Sequence, residues 1–152
     1  MNNIIFKYIM YLSLVVGLIF GVLASVPYLG SLALFSVLFL TAPAVMILLI
    51  MSGKTDLTTP KDSIINGALS GFLSNITFSF AYCIVVAILY ISIKFTTNYF
   101  LTTMIINSPV WLLIIIILFT GVLTATTNAF SGFLTYYIIN LIRDLYEKKH
   151  LN

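Results

Sequence analysis

Four stretches of this chain, residues 8–26, 31–51, 63–93 and 109–142, contain no Asp, Glu, Lys, Arg or His. As helices, each is long enough to cross a hydrocarbon core of about 30 Å, for which about 20 residues suffice. In lipid a backbone can satisfy its own N–H and C=O groups only as a helix or a closed barrel, and uninterrupted apolar runs of this length read as helices. The chain is 7% charged and 61% hydrophobic, where about 25% charged would be usual for a soluble globule. We therefore expect an all-α polytopic membrane protein with four transmembrane helices, forming one integral domain over residues 1–152.

Local signals divide the spans. Val22-Leu23-Ala24 has the small-residue look of a signal-peptide cleavage site, but the apolar run before it is long for a signal and another membrane segment follows, so residues 8–26 are read as a span. Pro27-Tyr28-Leu29-Gly30 reads as a tight turn with an interfacial tyrosine. Thr41-Ala42-Pro43 predicts a kink within the second span, its freed backbone groups repaired by neighbours. Residues 52–61, with Lys54, Asp56 and Lys61, form a polar loop. Thr59, Pro60 and Asp62 then give an N-cap, a first-turn proline and a capping carboxylate for the third helix. Residues 94–108 read as an external loop lying on the membrane through Phe95, Tyr99 and Phe100. Ser108-Pro109 repeats the cap-then-proline signal, with Trp111 as an interfacial anchor, and the charged run Arg143 to His150 continues the last helix into water.

Cations set the orientation. Lys7, Lys54, Lys61, Arg143, Lys148 and Lys149 fall on one side of this threading and Lys94 alone on the other, so both termini are expected in the cytoplasm of a cell membrane. The abundance of Ile, Asn, Phe and Tyr points to an AT-rich genome, that of a prokaryote or its phage.

Within the spans the informative residues are small or polar. Ser13, Gly17, Gly21 and Ser25 recur every four residues, as do Gly67, Gly71 and Asn75, and Gly121, Ala125 and Ala129, with Gly132 nearby. Such stripes let helices meet backbone to backbone, and Gly17, Gly21, Gly67, Gly71, Gly121 and Gly132 are the candidate packing positions. Counting residues from the flanking charges places Gly17, Pro43, Gly71 and Gly132 in one layer and predicts that Gly71 meets Gly132. Residues 68–74 and 129–135 repeat the Ser-Gly-Phe-Leu setting and would mark a duplicated hairpin if the likeness is structural. Asn66, Asn75, Asn128 and Thr124 are candidates for a polar pathway, with interhelical hydrogen bonding as the plainer role.

The missing chemistry narrows the function. No Asp, Glu, Lys, Arg or His lies inside a span to relay protons or sense voltage. One cysteine, Cys83, one histidine, His150, and no paired carboxylates leave no metal, cofactor or catalytic constellation to assemble, and no enzyme is expected. Scattered terminal cations do not make a nucleic-acid surface. The bilayer is the expected partner, together with a second copy or a membrane subunit.

The run Gly17 to Pro27, a polar loop, and then Asn66-Gly67-Ala68-Leu69-Ser70-Gly71 resembles uncharacterised small four-span integral membrane proteins of bacteria and archaea. That resemblance covers about half of the chain and implies a membrane bundle without an assigned activity. Three roles are open to such a bundle: packing with itself or a partner subunit, passing a small solute as a permease or channel, or acting like a phage holin.

Overall fold

The computed structural model describes residues 3–54 and 59–150. It is all-helical: α1 (Asn3–Ala24), α2 (Gly30–Phe35), a π-helical segment (Ser36–Leu40), α3 (Thr41–Met51), α4 (Pro60–Ile93), α5 (Tyr99–Asn107) and α6 (Val110–His150). Four helical stretches, Ile5–Ala24, Gly30–Met51, Pro60–Ile93 and Val110–Lys149, are long and apolar enough to cross a membrane.

The distribution of side chains suits lipid. On α4 the buried residues include Ser63, Asn66, Gly67, Ser70, Gly71, Ser74 and Asn75, while Phe80, Ile84, Ile88 and Ile91 are exposed. A water-soluble helix would reverse this arrangement, because burying hydrocarbon is what drives it to pack. Against lipid tails hydrocarbon gains little from burial, and small or hydrogen-bonding residues hold the helices together instead.

Helix α4 is the centre of the bundle, packing against α1, α3 and α6. Its start follows from local chemistry. The Thr59 hydroxyl accepts from the Asp62 N–H at 3.1 Å and donates to the Asp62 carboxylate at 2.8 Å, while Pro60 occupies the first turn, where no N–H is needed. The helix ends with Lys94 at φ 55°, where the Phe95 N–H reaches the Leu89 carbonyl and the Lys94 N–H the Tyr90 carbonyl. Helix α3 stops the same way, with Gly53 in the left-handed position.

Between α1 and α2, the Leu29 N–H bonds the Val26 carbonyl at 3.2 Å, closing a turn that carries Pro27 second and Tyr28 third. Tyr28 has φ 71° and is almost fully exposed; glycine or asparagine is the usual occupant of such a position.

The structure departs from the sequence-based expectations at four places. The interruption of the second span is a π segment at Ser36–Leu40, upstream of Pro43. The proline ring crowds the carbonyl four residues back, so the ladder widens before the proline and not at it. The segment after Lys94 is not simply a loop, because Asn98 accepts from the Leu101 N–H at 3.1 Å and caps α5. Ser108 does not cap the last helix: it closes α5 through its N–H on Met104, and the Pro109 carbonyl accepts the first bonds of α6. The repeats at 68–74 and 129–135 lie on α4 and α6, which run antiparallel, whereas a tandem hairpin would place its copies on parallel helices. Asp56 falls in 55–58, outside the described residues.

The glycines of these crossings differ in what a side chain would meet. A Cβ on Gly67 would strike the Asn128 carbonyl oxygen of α6, which is backbone and cannot turn aside. One on Gly121 would come to 3.1 Å from the Phe72 ring, which can. Gly67→Ala is therefore expected to destabilise the bundle by about 1–3 kcal/mol and Gly121→Ala by less than about 1 kcal/mol. Unfolding of both variants by titration with a denaturing detergent checks the order; equal losses would mean that the α4–α6 crossing is not set by backbone contact.

Candidate functional site

The polar side chains of the spans converge on a belt across α3, α4 and α6, and Asn128 of α6 is its centre. Asn128 is fully buried. Its carboxamide nitrogen donates to the carbonyls of Val37 and Leu38 at 2.9 Å each and to its own helix at Thr124 at 3.0 Å, and its oxygen accepts from the Ala42 N–H at 2.8 Å. These partners fix the amide orientation, since a flipped carboxamide would set its donors against an N–H and its oxygen against carbonyls. Asn128 thus takes the place of a peptide unit in the ladder of the second span where the π segment meets α3. Thr127 adds a bond to the Leu38 carbonyl at 2.7 Å, and Thr41 turns its hydroxyl to the Val37 carbonyl at 3.2 Å.

The second group is Asn75. It donates to the Thr120 hydroxyl at 3.1 Å and to the Ile117 carbonyl at 3.4 Å, and accepts from the Thr124 hydroxyl at 3.2 Å. A longer contact of 3.4 Å joins Ser74 to Thr41. These bonds tie α4 to α6 and α4 to α3.

The candidate packing glycines all lie at crossings, but not in the predicted pairs. A Cβ on Gly17 would meet the Ser74 carbonyl and Thr77, and one on Gly21 the Phe78 carbonyl and Ala81, so α1 and α4 run parallel with one register. Gly71 faces Thr124 and Asn128, whereas Gly132 faces Ser63, Met46 and Gly67. The predicted meeting of Gly71 with Gly132 is therefore corrected: Gly132 lies one turn away, beside Gly67, and the shared layer breaks at α6. Counting from Arg143 misled because α6 continues unbroken to His150, so that cation does not mark the depth that Asp62 marks on α4.

Of the four pathway candidates, Asn75, Thr124 and Asn128 are joined through the α4–α6 crossing, and the polar atoms of their side chains are engaged. Asn66 differs. It is buried, and among the described residues its carboxamide oxygen has no hydrogen-bond partner. The same holds for the Thr102 hydroxyl in α5, a residue the sequence reading passed over because α5 itself was not foreseen. Thr97 was also missed; its hydroxyl donates to the Ser25 carbonyl at 2.8 Å and fastens the segment before α5 to the end of α1. Cys83 is half-buried and free, and among the described residues no group of His, Cys, Asp and Glu is placed to hold a metal. No family model, curated protein or solved structure matches the chain.

Three substitutions separate these roles. Asn128→Leu strands two carbonyls and an N–H of the second span and is expected to cost about 2–3 kcal/mol, because each buried group left unpaired costs about 1–3 kcal/mol and the two carbonyls keep partial partners. Asn75→Leu breaks bonds between side chains that retain local alternatives and is expected to cost about 1 kcal/mol, within the range of interhelical bonds in membranes. Asn66→Leu removes a buried carboxamide whose oxygen has no partner among the described residues and is expected to be neutral or stabilising. Reversible unfolding in mixed detergent micelles gives all three values; a loss at Asn66 as large as that at Asn128 would show that the two carboxamides do equivalent work.

Proposed function

We propose that the chain is a non-enzymatic helical bundle of the cell membrane, with both termini in the cytoplasm, that acts by packing with itself or with a partner membrane subunit. The observation that supports this reading is the use made of the buried polar groups. Asn75, Thr124 and Asn128 bond across helix crossings and mend the backbone of the second span, which is the behaviour of an architectural core. A solute pathway needs polar groups that stay available to the solute. The resemblance to small four-span membrane proteins agrees with this proposal.

A small-solute permease is the second reading, and Asn66 is its support, since a buried carboxamide oxygen without a partner among the described residues can serve a passing donor. A holin-like role would require assembly of many copies into a membrane lesion.

Expression in a bacterial host distinguishes the three. The bundle reading expects growth without lysis, no solute-dependent leak from vesicles carrying the purified chain, and a fixed stoichiometry with itself or one subunit after solubilisation. Abrupt lysis would favour the holin, and leak that Asn66→Leu suppresses would favour the permease. For topology, a reporter fused after Asn152 is expected to be active inside and one inserted near Asn98 active outside. An external reporter after Asn152 would reverse the orientation and remove Lys54 and Lys61 from the cytoplasmic face.

A further inference from the structure

A cleft of about 480 Å³ opens against the first half of α1, and among the described residues its wall is Phe6, Lys7, Met10, Tyr11 and Leu14. Phe6, Met10 and Leu14 follow at four-residue steps, so they share one side of the helix and make an apolar strip about 12 Å long. That is close to the hydrocarbon depth of one leaflet, about 15 Å. Lys7 and Tyr11, also four apart, flank the strip. Among the described residues Lys7 has no ion-pair partner.

We propose that this cleft binds one anionic glycerophospholipid, with an acyl chain along Phe6, Met10 and Leu14 and its phosphate on the Lys7 ammonium, the Tyr11 hydroxyl donating beside it. The inference rests on reading α1 as a membrane span. Charge complementarity selects the headgroup. A zwitterionic lipid carries its own ammonium beside the phosphate and gains little from Lys7, whereas an anionic lipid brings a charge that Lys7 balances. The apolar strip holds the lipid in one place, which distinguishes this site from the diffuse attraction of cations to an anionic surface.

Quenching by lipids brominated on the acyl chain tests the site in vesicles carrying the full chain. In a Trp111→Phe background, Leu14→Trp places the only tryptophan in the cleft, and Ile84→Trp places it on the exposed face of α4 as a control. Brominated phosphatidylglycerol is expected to quench the Leu14→Trp protein at a severalfold lower mole fraction than brominated phosphatidylcholine, with no such preference at Ile84→Trp. Adding Lys7→Gln is expected to abolish the preference. Equal quenching of Leu14→Trp by the two lipids overturns the proposal, as does a preference that survives Lys7→Gln. Absence of quenching by either lipid would take α1 out of the bilayer, so the membrane reading would fall together with the site. Native mass spectrometry of the unmodified chain guards against remodelling by the new tryptophan: a one-to-one phosphatidylglycerol complex is expected, reduced severalfold by Lys7→Gln, and its absence sinks the proposal.

Discussion

A membrane helix that breaks its own hydrogen-bond ladder must find replacements among its neighbours, because the surrounding lipid offers none. The second span breaks its ladder between Ser36 and Leu40, and the replacement is the Asn128 side chain, which both donates and accepts across the gap. For that carboxamide to reach the span, α6 must lie deep in the bundle. Gly67 and Gly71 on α4 allow this by presenting no side chain to Asn128 and its neighbours. Break, asparagine and glycines are therefore one unit, and each of the three makes sense only with the other two.

The same unit gives the bundle a defined register. Small residues at every fourth position make a smooth seam along which two helices can slide by a turn and meet another small residue. Hydrogen bonds to particular carbonyls end that freedom. Asn128 couples α6 to the second span, and Asn75 with Thr120 and Thr124 couples it to α4, so the position of α6 along its axis is fixed from two sides.

Much of the architecture was legible in the sequence, since long uncharged runs and capping signals are local properties. The four long apolar helical stretches, the Thr59 cap with Pro60, the turn at Pro27 and the continuation of α6 through the charged run are of this kind. The site was legible as a set of residues and not as a set of pairs. Asn128 and Gly71 stood out as polar or small in greasy surroundings, but which groups they meet depends on how far α6 is shifted against α4, and no local signal carries that shift. Helix α5 was hidden for another reason: its cap, Asn98, lies in a polar stretch where asparagine is unremarkable, and a nine-residue helix is too short for its periodicity to be read.

Helix α6 spans 41 residues without interruption, about 60 Å of rise, or twice the hydrocarbon thickness of a bilayer. From the buried Thr135 to His150 the helix measures about 22 Å. It is packed as far as Thr135 and exposed throughout the run from Leu141 to Lys149. Mechanically that is a cantilever. A change of about 10° in its angle at the clamp would carry the charged tip sideways by about 4 Å on that length, so small adjustments at the buried end arrive at the tip enlarged.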